Sequence, residues 1–273
     1  MPELPEVEIT RQGLLPLVEQ RVKAVVIRNP SMRWPIPDHL PNTLSNQRLM
    51  GLKRRAKYLL AHFENGTLLI HLGMSGHITL LDRNYPPEKH DHFDIQFHNG
   101  YILRLNDPRR FGAVLWAGSN PDDHVLLKAL GPEPLEEGFN ATYLRQQMCS
   151  RQAAIKNTIM DAHLVVGIGN IYANESLFRA RIHPECPANQ LSQQACEKLV
   201  IEIKATLTDA LKAGGSSLRD FIAVNGKSGY FQQSYFVYGR ANQPCKVCGN
   251  CINNIKLGQR STFYCQNCQK LKA

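Results

Sequence analysis

The strongest constraint on this chain lies at its C-terminal end. Cys245-x2-Cys248, sixteen residues, and then Cys265-x2-Cys268 place two pairs of thiolates at the spacing a single tetrahedral metal ion requires. Each CxxC knuckle offers two sulfurs to one ion. The intervening INNIKLGQRSTFY carries β-formers on either side of Leu257-Gly258-Gln259, so the chain leaves one knuckle, makes a hairpin and returns to the other. A ribbon this small has no core of its own, and the metal takes that place. Cys251 adds a further CxxC register with Cys248; the pair Cys245 and Cys248 is preferred. Five of the eight cysteines fall in the last thirty residues while Cys149, Cys186 and Cys196 are scattered, unlike the even framework of a small disulfide-bonded secreted domain. The expectation is one structural Zn2+, since four cysteines fill all four positions and leave none open for chemistry.

Upstream the pattern changes twice. Val7, Ile9, Leu14, Leu15 and Val18 form an apolar stripe at helical spacing, which predicts a first helix over Pro5–Glu19 opened by its proline. From Val22 to about Ala117 come short β-type runs, VKAVVI, YLLAHF, TLLIHL, HITLLD, FDIQFH, YILRL and AVLWA, parted by turn signals such as Glu64-Asn65-Gly66 and Asn99-Gly100. These predict an antiparallel β-sandwich. Helical segments follow at Ala141–Gln147, Ala153–Met160, Ile171–Arg179 and Leu191–Lys212, and Gly214-Gly215-Ser216-Ser217 stops the last of them. Leu218–Gln233 reads as a long loop of functional length. The fold class is therefore α+β: an N-terminal domain over 1–121, a helical domain over 122–234 and a ribbon over 235–273.

Lys and Arg number 32 against 23 Asp and Glu, a formal charge of +9, which favours a polyanionic partner without naming it. The start, MPELPEVEIT, has neither the basic nor the apolar region of a secretory signal, and no apolar run is long enough for a membrane span. The reading is a cytoplasmic monomer with no membrane association. Gly167-x-Gly169 resembles the opening of a dinucleotide fingerprint, but Tyr172 stands where its third glycine belongs, so that reading fails. Instead these glycines permit close backbone approach, and Asn170 is expected to cap a helix from Ile171 whose amides face a phosphate.

Pro2 follows the initiator methionine, whose removal exposes a secondary amine. An α-amino group titrates near pKa ~8 rather than the ~10.4 of lysine, so part of it is neutral and nucleophilic at neutral pH. Its attack on a sugar C1′ gives an iminium that is cationic without a proton and that labilises the adjacent carbon. Glu3 and Glu6 lie beside it, either of them a candidate acid, and both also suit the first turn of a helix. Arg260, at the tip of the hairpin, has the bidentate geometry that holds a phosphate.

MPELPEVE, RRAKYLL, LGMSG, NDPRRFG, VVGIGNIYANESLF and the terminal CxxC–CxxC, in this order, closely resemble the formamidopyrimidine-DNA glycosylase family, and the likeness runs over essentially the whole chain. It implies a β-sandwich, a helix–two-turn–helix element and a zinc ribbon. It also implies a bifunctional enzyme that excises oxidised purines from duplex DNA through an N-terminal proline Schiff base and cuts the abasic strand by β,δ-elimination. By this resemblance Pro2 is the nucleophile, Glu3 the acid, Lys57 the proton donor for β-elimination and Arg260 the group tied to δ-elimination. Met74, Arg109 and Phe111 resemble the set that fills the hole left by an extruded base, and His90, Arg151, Asn170 and Lys156 further DNA contacts. From residue type alone Met74 and Phe111 belong in a core. The segment Ser216–Tyr230 resembles the part that closes over the extruded base. Gln259 stands where the family often has glycine, and Cys251 is extra. Two rivals are an endonuclease VIII-type glycosylase for oxidised pyrimidines, which typically starts Met-Pro-Glu-Gly, and a non-catalytic zinc-ribbon protein that binds damaged DNA.

Overall fold

The computed structural model describes residues 1–82, 85–216 and 231–271, the side chains of 232 and 233 excepted. It divides into two compact units, Met1–Lys128 with the described part of Ala213–Gln232, and Ala129–Lys212 with the described part of Gln233–Ala273.

The first unit begins with helix α1 (Leu4–Gly13) and continues through β1 (Val22–Ile27), a short α2 (Leu40–Leu44), β2 (Leu49–Arg55), β3 (Tyr58–Phe63), β4 (Gly66–His71), β5 (His77–Asp82), β6 (Asp91–Phe97), β7 (Tyr101–Asn106) and β8 (Ala113–Gly118). All pairings are antiparallel, in two four-stranded sheets ordered β1-β6-β7-β5 and β2-β3-β4-β8. One apolar core takes side chains from both, among them Val25, Phe93, Phe97 and Leu105 from the first and Leu52, Leu59, Phe63 and Ile70 from the second. This is the expected sandwich.

Two details depart from the sequence pattern. Helix α1 ends at Gly13 rather than Glu19, and Leu15–Leu17 form a 3-10 turn, because the ring at Pro16 removes an amide and clashes with the preceding turn. Strand β2 carries no alternation to read: its register shifts between Leu49 and Gly51, leaving Met50 49% exposed, and burial falls on Leu49 and Leu52, three apart.

The second unit contains α3 (Ala141–Met148), α4 (Ile155–Ile159), α5 (Asn170–Ala180), α6 (Gln193–Lys212) and a hairpin of β9 (Asn253–Leu257) with β10 (Arg260–Tyr264). Helix α4 is shorter than Ala153–Met160 because Ala154 is held in a bridge to Pro187. Helix α6 starts at Gln193, where the Ser192 hydroxyl accepts the Ala195 amide at 3.2 Å, after a separate 3-10 turn at Ala188–Gln190. Of the loop expected over Leu218–Gln233, Phe231–Ser234 form a 3-10 turn. Leu218–Tyr230, and all of the Ser216–Tyr230 segment except Ser216, lie outside the described residues.

Candidate active site and metal centre

Glu3 is the N-cap of α1 and, with Glu6, makes a reciprocal capping box: the Glu3 carboxylate accepts the Glu6 amide, while Glu6 Oε2 accepts the Glu3 amide at 2.9 Å. Glu6 is fully buried, and its second oxygen accepts the Ser216 amide at 2.8 Å, so one carboxylate ties the chain start to the end of the described run after α6. Pro2 and Glu3 are also buried. Helix α1 lies against β2 in the opposite sense, with Arg11 Nη1 donating to the Leu52 carbonyl at 3.4 Å and Glu8 facing Arg54 at 3.4 Å. Followed backwards, the helix start comes to the far end of β2. There Ala56, at φ +54°, turns the chain through Lys57 into β3. The charge of Lys57 reaches His71: burial foremost, then Lys57 and Arg33, hold that imidazole down to about 4. His71 is therefore neutral at pH 7, with Nδ1 accepting the Gly73 amide at 3.0 Å and the proton left on Nε2.

A second group in the same unit is organised by Asp107, which is completely buried. Its Oδ1 accepts the Ser75 hydroxyl at 2.8 Å and its Oδ2 the Gly112 amide at 2.8 Å. Its own amide donates to the His90 carbonyl at 3.0 Å, its carbonyl meets His92 Nε2 at 2.9 Å, and Ser75 Oγ accepts the Arg109 amide at 3.3 Å. The loops 72–76 and 107–112 are thus bound together, so closely that a Cβ at Gly73, already at φ +66°, would fall 2.5 Å from the Gly112 nitrogen. Out of this rigid base stand Met74, 39% exposed, and Phe111, 43% exposed, with the Arg109 guanidinium 4.8 Å above the Phe111 ring. Met74 and Phe111 are not core residues. Met74, Arg109, Phe111 and, through its carbonyl, His90 share one scaffold.

In the second unit the hairpin is held mainly through its backbone. Lys156 Nζ donates to the Ser261 carbonyl at 3.2 Å and to Thr262 Oγ1 at 2.7 Å, Asn170 Nδ2 reaches the same Ser261 carbonyl at 3.0 Å, and Asn174 Oδ1 accepts the Phe263 amide at 2.7 Å. Gly258 rests on Asn157, whose side chain lies 2.8 Å from where a Cβ would stand. Arg260, exposed, is thereby presented next to the start of α5. Lys156 is not the surface DNA contact expected of it: it is completely buried, and a buried ammonium persists because those oxygens receive it. Asn170 is not the helix cap either, since Gly169 takes that position in extended geometry and Asn170 is the first helical residue. Arg151 is half-buried and paired with Asp161 at 2.7 Å.

Glu175, which sequence reading did not single out, accepts the amides of Phe236, Val237 and Tyr238 at 2.9, 3.0 and 2.8 Å. Burial pushes its carboxyl up, against the pull of those three donors. It fixes the chain that leads into the ribbon.

The Sγ atoms of Cys245, Cys248, Cys265 and Cys268 all lie within 4.8 Å of one another, with 3.9 Å between Cys245 and Cys268 and 3.4 Å between Cys248 and Cys265. A tetrahedral Zn–S bond of ~2.3 Å requires sulfurs about 3.8 Å apart, so the set fits one zinc ion. Cys251 stands apart, exposed and paired through its backbone with Pro244.

Three family models match the chain in succession: the formamidopyrimidine-DNA glycosylase N-terminal domain over residues 1–114, the formamidopyrimidine-DNA glycosylase H2TH domain over 130–222, and the zinc finger found in FPG and IleRS over 242–271. A formamidopyrimidine-DNA glycosylase of Methylobacillus flagellatus is 61% identical over 270 residues, 99% of this chain and 97% of the relative. The chain belongs to the formamidopyrimidine-DNA glycosylase family.

Solved structures of the family agree. A mutant Lactococcus lactis FPG in complex with Fapy-dG-containing DNA aligns over 99% of this chain and 100% of its own, with a TM-score of 0.92 at 34% identity. The Lactococcus lactis Fpg in complex with abasic-site DNA aligns over 98% and 100%, with a TM-score of 0.91 at 33% identity. The four clustered cysteines fall within the family's zinc finger, and one zinc is the metal they hold, as a structural ion. No described helix is long and apolar enough to cross a membrane.

Proposed function

We propose that this glycosylase removes oxidised purines, 8-oxoguanine and formamidopyrimidines, from duplex DNA and then cleaves the abasic strand, acting as a monomer in the bacterial cytoplasm. The observation that carries the reading is the course of α1 against β2, which brings the chain start and the buried Glu3 to the end of the strand that turns through Lys57. The Lactococcus lactis complexes with Fapy-dG and abasic-site DNA support the substrate class.

Once Met1 is removed, the Pro2 nitrogen attacks C1′ of the extruded nucleotide. The glycosidic bond breaks and the base leaves with the electron pair; the C1′–O4′ bond then opens as O4′ is protonated, which leaves an iminium. Of the two protons taken up by the base and O4′, one comes from the attacking amine and the other from Glu3, which assists the opening of the sugar or the departure of the base. The resulting iminium acidifies C2′. Loss of a C2′ proton expels the 3′ phosphate, with Lys57 as proton donor, and a second elimination expels the 5′ phosphate, with Arg260 holding it. Met74, Arg109 and Phe111 fill the vacated stack, with the guanidinium offered to the orphaned cytosine, which offsets the few kcal/mol lost on extrusion. His90, Arg151 and the first turn of α5 at Asn170 meet phosphates.

Borohydride trapping on a duplex carrying 8-oxoguanine opposite cytosine tests the reading. A covalent adduct at Pro2 is expected, lost in Pro2→Gly and in a form that retains Met1. Tight binding with no adduct would reduce the protein to a damaged-DNA binder, and trapping confined to oxidised pyrimidines would favour endonuclease VIII-type specificity.

A further inference from the structure

At the opposite end of α5 from Asn170, a cavity of about 560 Å³ opens between the end of that helix, the start of α6 and the residues after the ribbon. Ten residues of helix at 1.5 Å each separate it from Asn170 by about 15 Å. No residue assigned above to DNA or catalysis lines it.

Its lining is cationic. Arg181, which ends α5 at φ +62°, Lys198 on α6 and Lys270 after the second cysteine knuckle all border it. None of the three is ion-paired to a carboxylate among the described residues; Arg181 rests on the Phe178 ring at 5.1 Å. His183 lines this cavity and the adjoining one, yet is only 6% exposed. Its Nδ1 accepts the Glu185 amide at 3.3 Å, so the neutral ring carries its proton on Nε2. Nε2 has no partner among the described residues. That N–H is accessible from the cavity and is left to solvent or a ligand. The first turn of α6 also borders the space through Gln194, and a helix start adds partial positive charge and unsatisfied amides. Ile182 and Leu191 give one apolar wall.

We propose that this cavity is a second ligand site, which takes the terminal phosphate of a small phosphate ester of nucleotide size. Three cations and one neutral N–H donor suit a dianionic phosphate group better than a singly charged acid. The volume lies within the range of small-molecule pockets and exceeds what a phosphate alone fills, which leaves the apolar wall to the organic part. A terminal phosphate enters such a recess, whereas a duplex phosphodiester stays on the outside of its strand.

The test is calorimetry on the full zinc-loaded protein with ADP and with inorganic phosphate as probes, each with and without a saturating abasic-analogue duplex. One ADP is expected to bind per chain, to persist when the duplex is bound, and to weaken by about tenfold or more in Lys198→Glu and in Lys270→Glu. Both substitutions are at exposed positions and leave excision of 8-oxoguanine unchanged. Inorganic phosphate is expected to bind at least about tenfold more weakly than ADP. Displacement of ADP by the duplex, affinity unchanged in both variants, or equal affinity for phosphate and ADP would overturn the proposal.

Discussion

Asp107→Asn isolates the contribution of a single buried carboxylate. The side chain accepts from two donors of different loops, the Ser75 hydroxyl and the Gly112 amide, and is completely buried. An asparagine of the same shape keeps one acceptor and turns an NH2 group toward the other donor. Leaving one buried donor without its acceptor costs about 1–3 kcal/mol, and the charge-assisted character of the surviving bond is lost as well, so about 2–4 kcal/mol is expected in total. At about 2–4 °C per kcal/mol for a unit of this size, the melting temperature falls by roughly 5–15 °C. The loops that carry Met74, Arg109 and Phe111 loosen with it. Excision of 8-oxoguanine, which requires a base to be extruded and its place filled, then falls by about tenfold or more, while cleavage of a duplex with a preformed abasic site falls much less. Thermal melts and paired single-turnover assays at a temperature where the variant is folded measure both. Equal loss on the two substrates, or a melting temperature within a degree of the native one, would refute the argument that this carboxylate holds the insertion loops.

Lys156→Ala removes the tie from α4 to the hairpin and is expected to cost about 2–4 kcal/mol in urea unfolding, yet to leave the salt slope of duplex binding unchanged; a phosphate-contacting lysine would lower that slope by about one unit. His71, held neutral down to about 4, is a group whose folded pKa lies below its unfolded value, so its stabilisation is present above pH ~6.5 and is lost as pH falls toward 4. The loss amounts to about 2 kcal/mol at pH 5, and the pH dependence of unfolding between pH 7 and 5 is expected to flatten in His71→Asn. Metal analysis is expected to find one zinc per chain in native protein and in Cys251→Ser, and a large loss in Cys248→Ser. Gln259→Gly relieves a side chain at φ +61° and is expected to stabilise the hairpin by about 1 kcal/mol, read from protection of β9 and β10 amides against exchange.

The parts of this fold written in local chemistry were readable from the chain. The cysteine spacing predicts the ribbon, and the alternating runs predict seven of the eight sandwich strands. Strand β2 was not readable, because the irregularity at Met50 and Gly51 breaks the period that identifies a strand. Residue type misjudges Met74 and Phe111, since their exposure is created by a buried network from another loop, and only the family resemblance set them outside the core. Lys156 goes the other way: resemblance made it a surface contact, and packing of the hairpin over α4 buries it. Asp107 stood within a recognisable motif, but an aspartate before a proline reads as turn chemistry, and its donors are 32 and 5 residues distant in sequence. Glu175 gives no local signal at all; its three donors lie about sixty residues later.

The hairpin is grasped largely by main-chain atoms, a carbonyl at Ser261 shared by Lys156 and Asn170 and an amide at Phe263 taken by Asn174, with the inward Thr262 hydroxyl also met by Lys156. Such a grip recognises the count of residues along the strand and ignores most of what they carry. Drift in the outward side chains of the ribbon leaves Arg260 where it is. A single inserted or deleted residue between the knuckle and Ser261 would turn every side chain to the opposite face and swing the guanidinium away from the start of α5. In descendants of this chain the ribbon is therefore free to change its spelling while its length stays fixed.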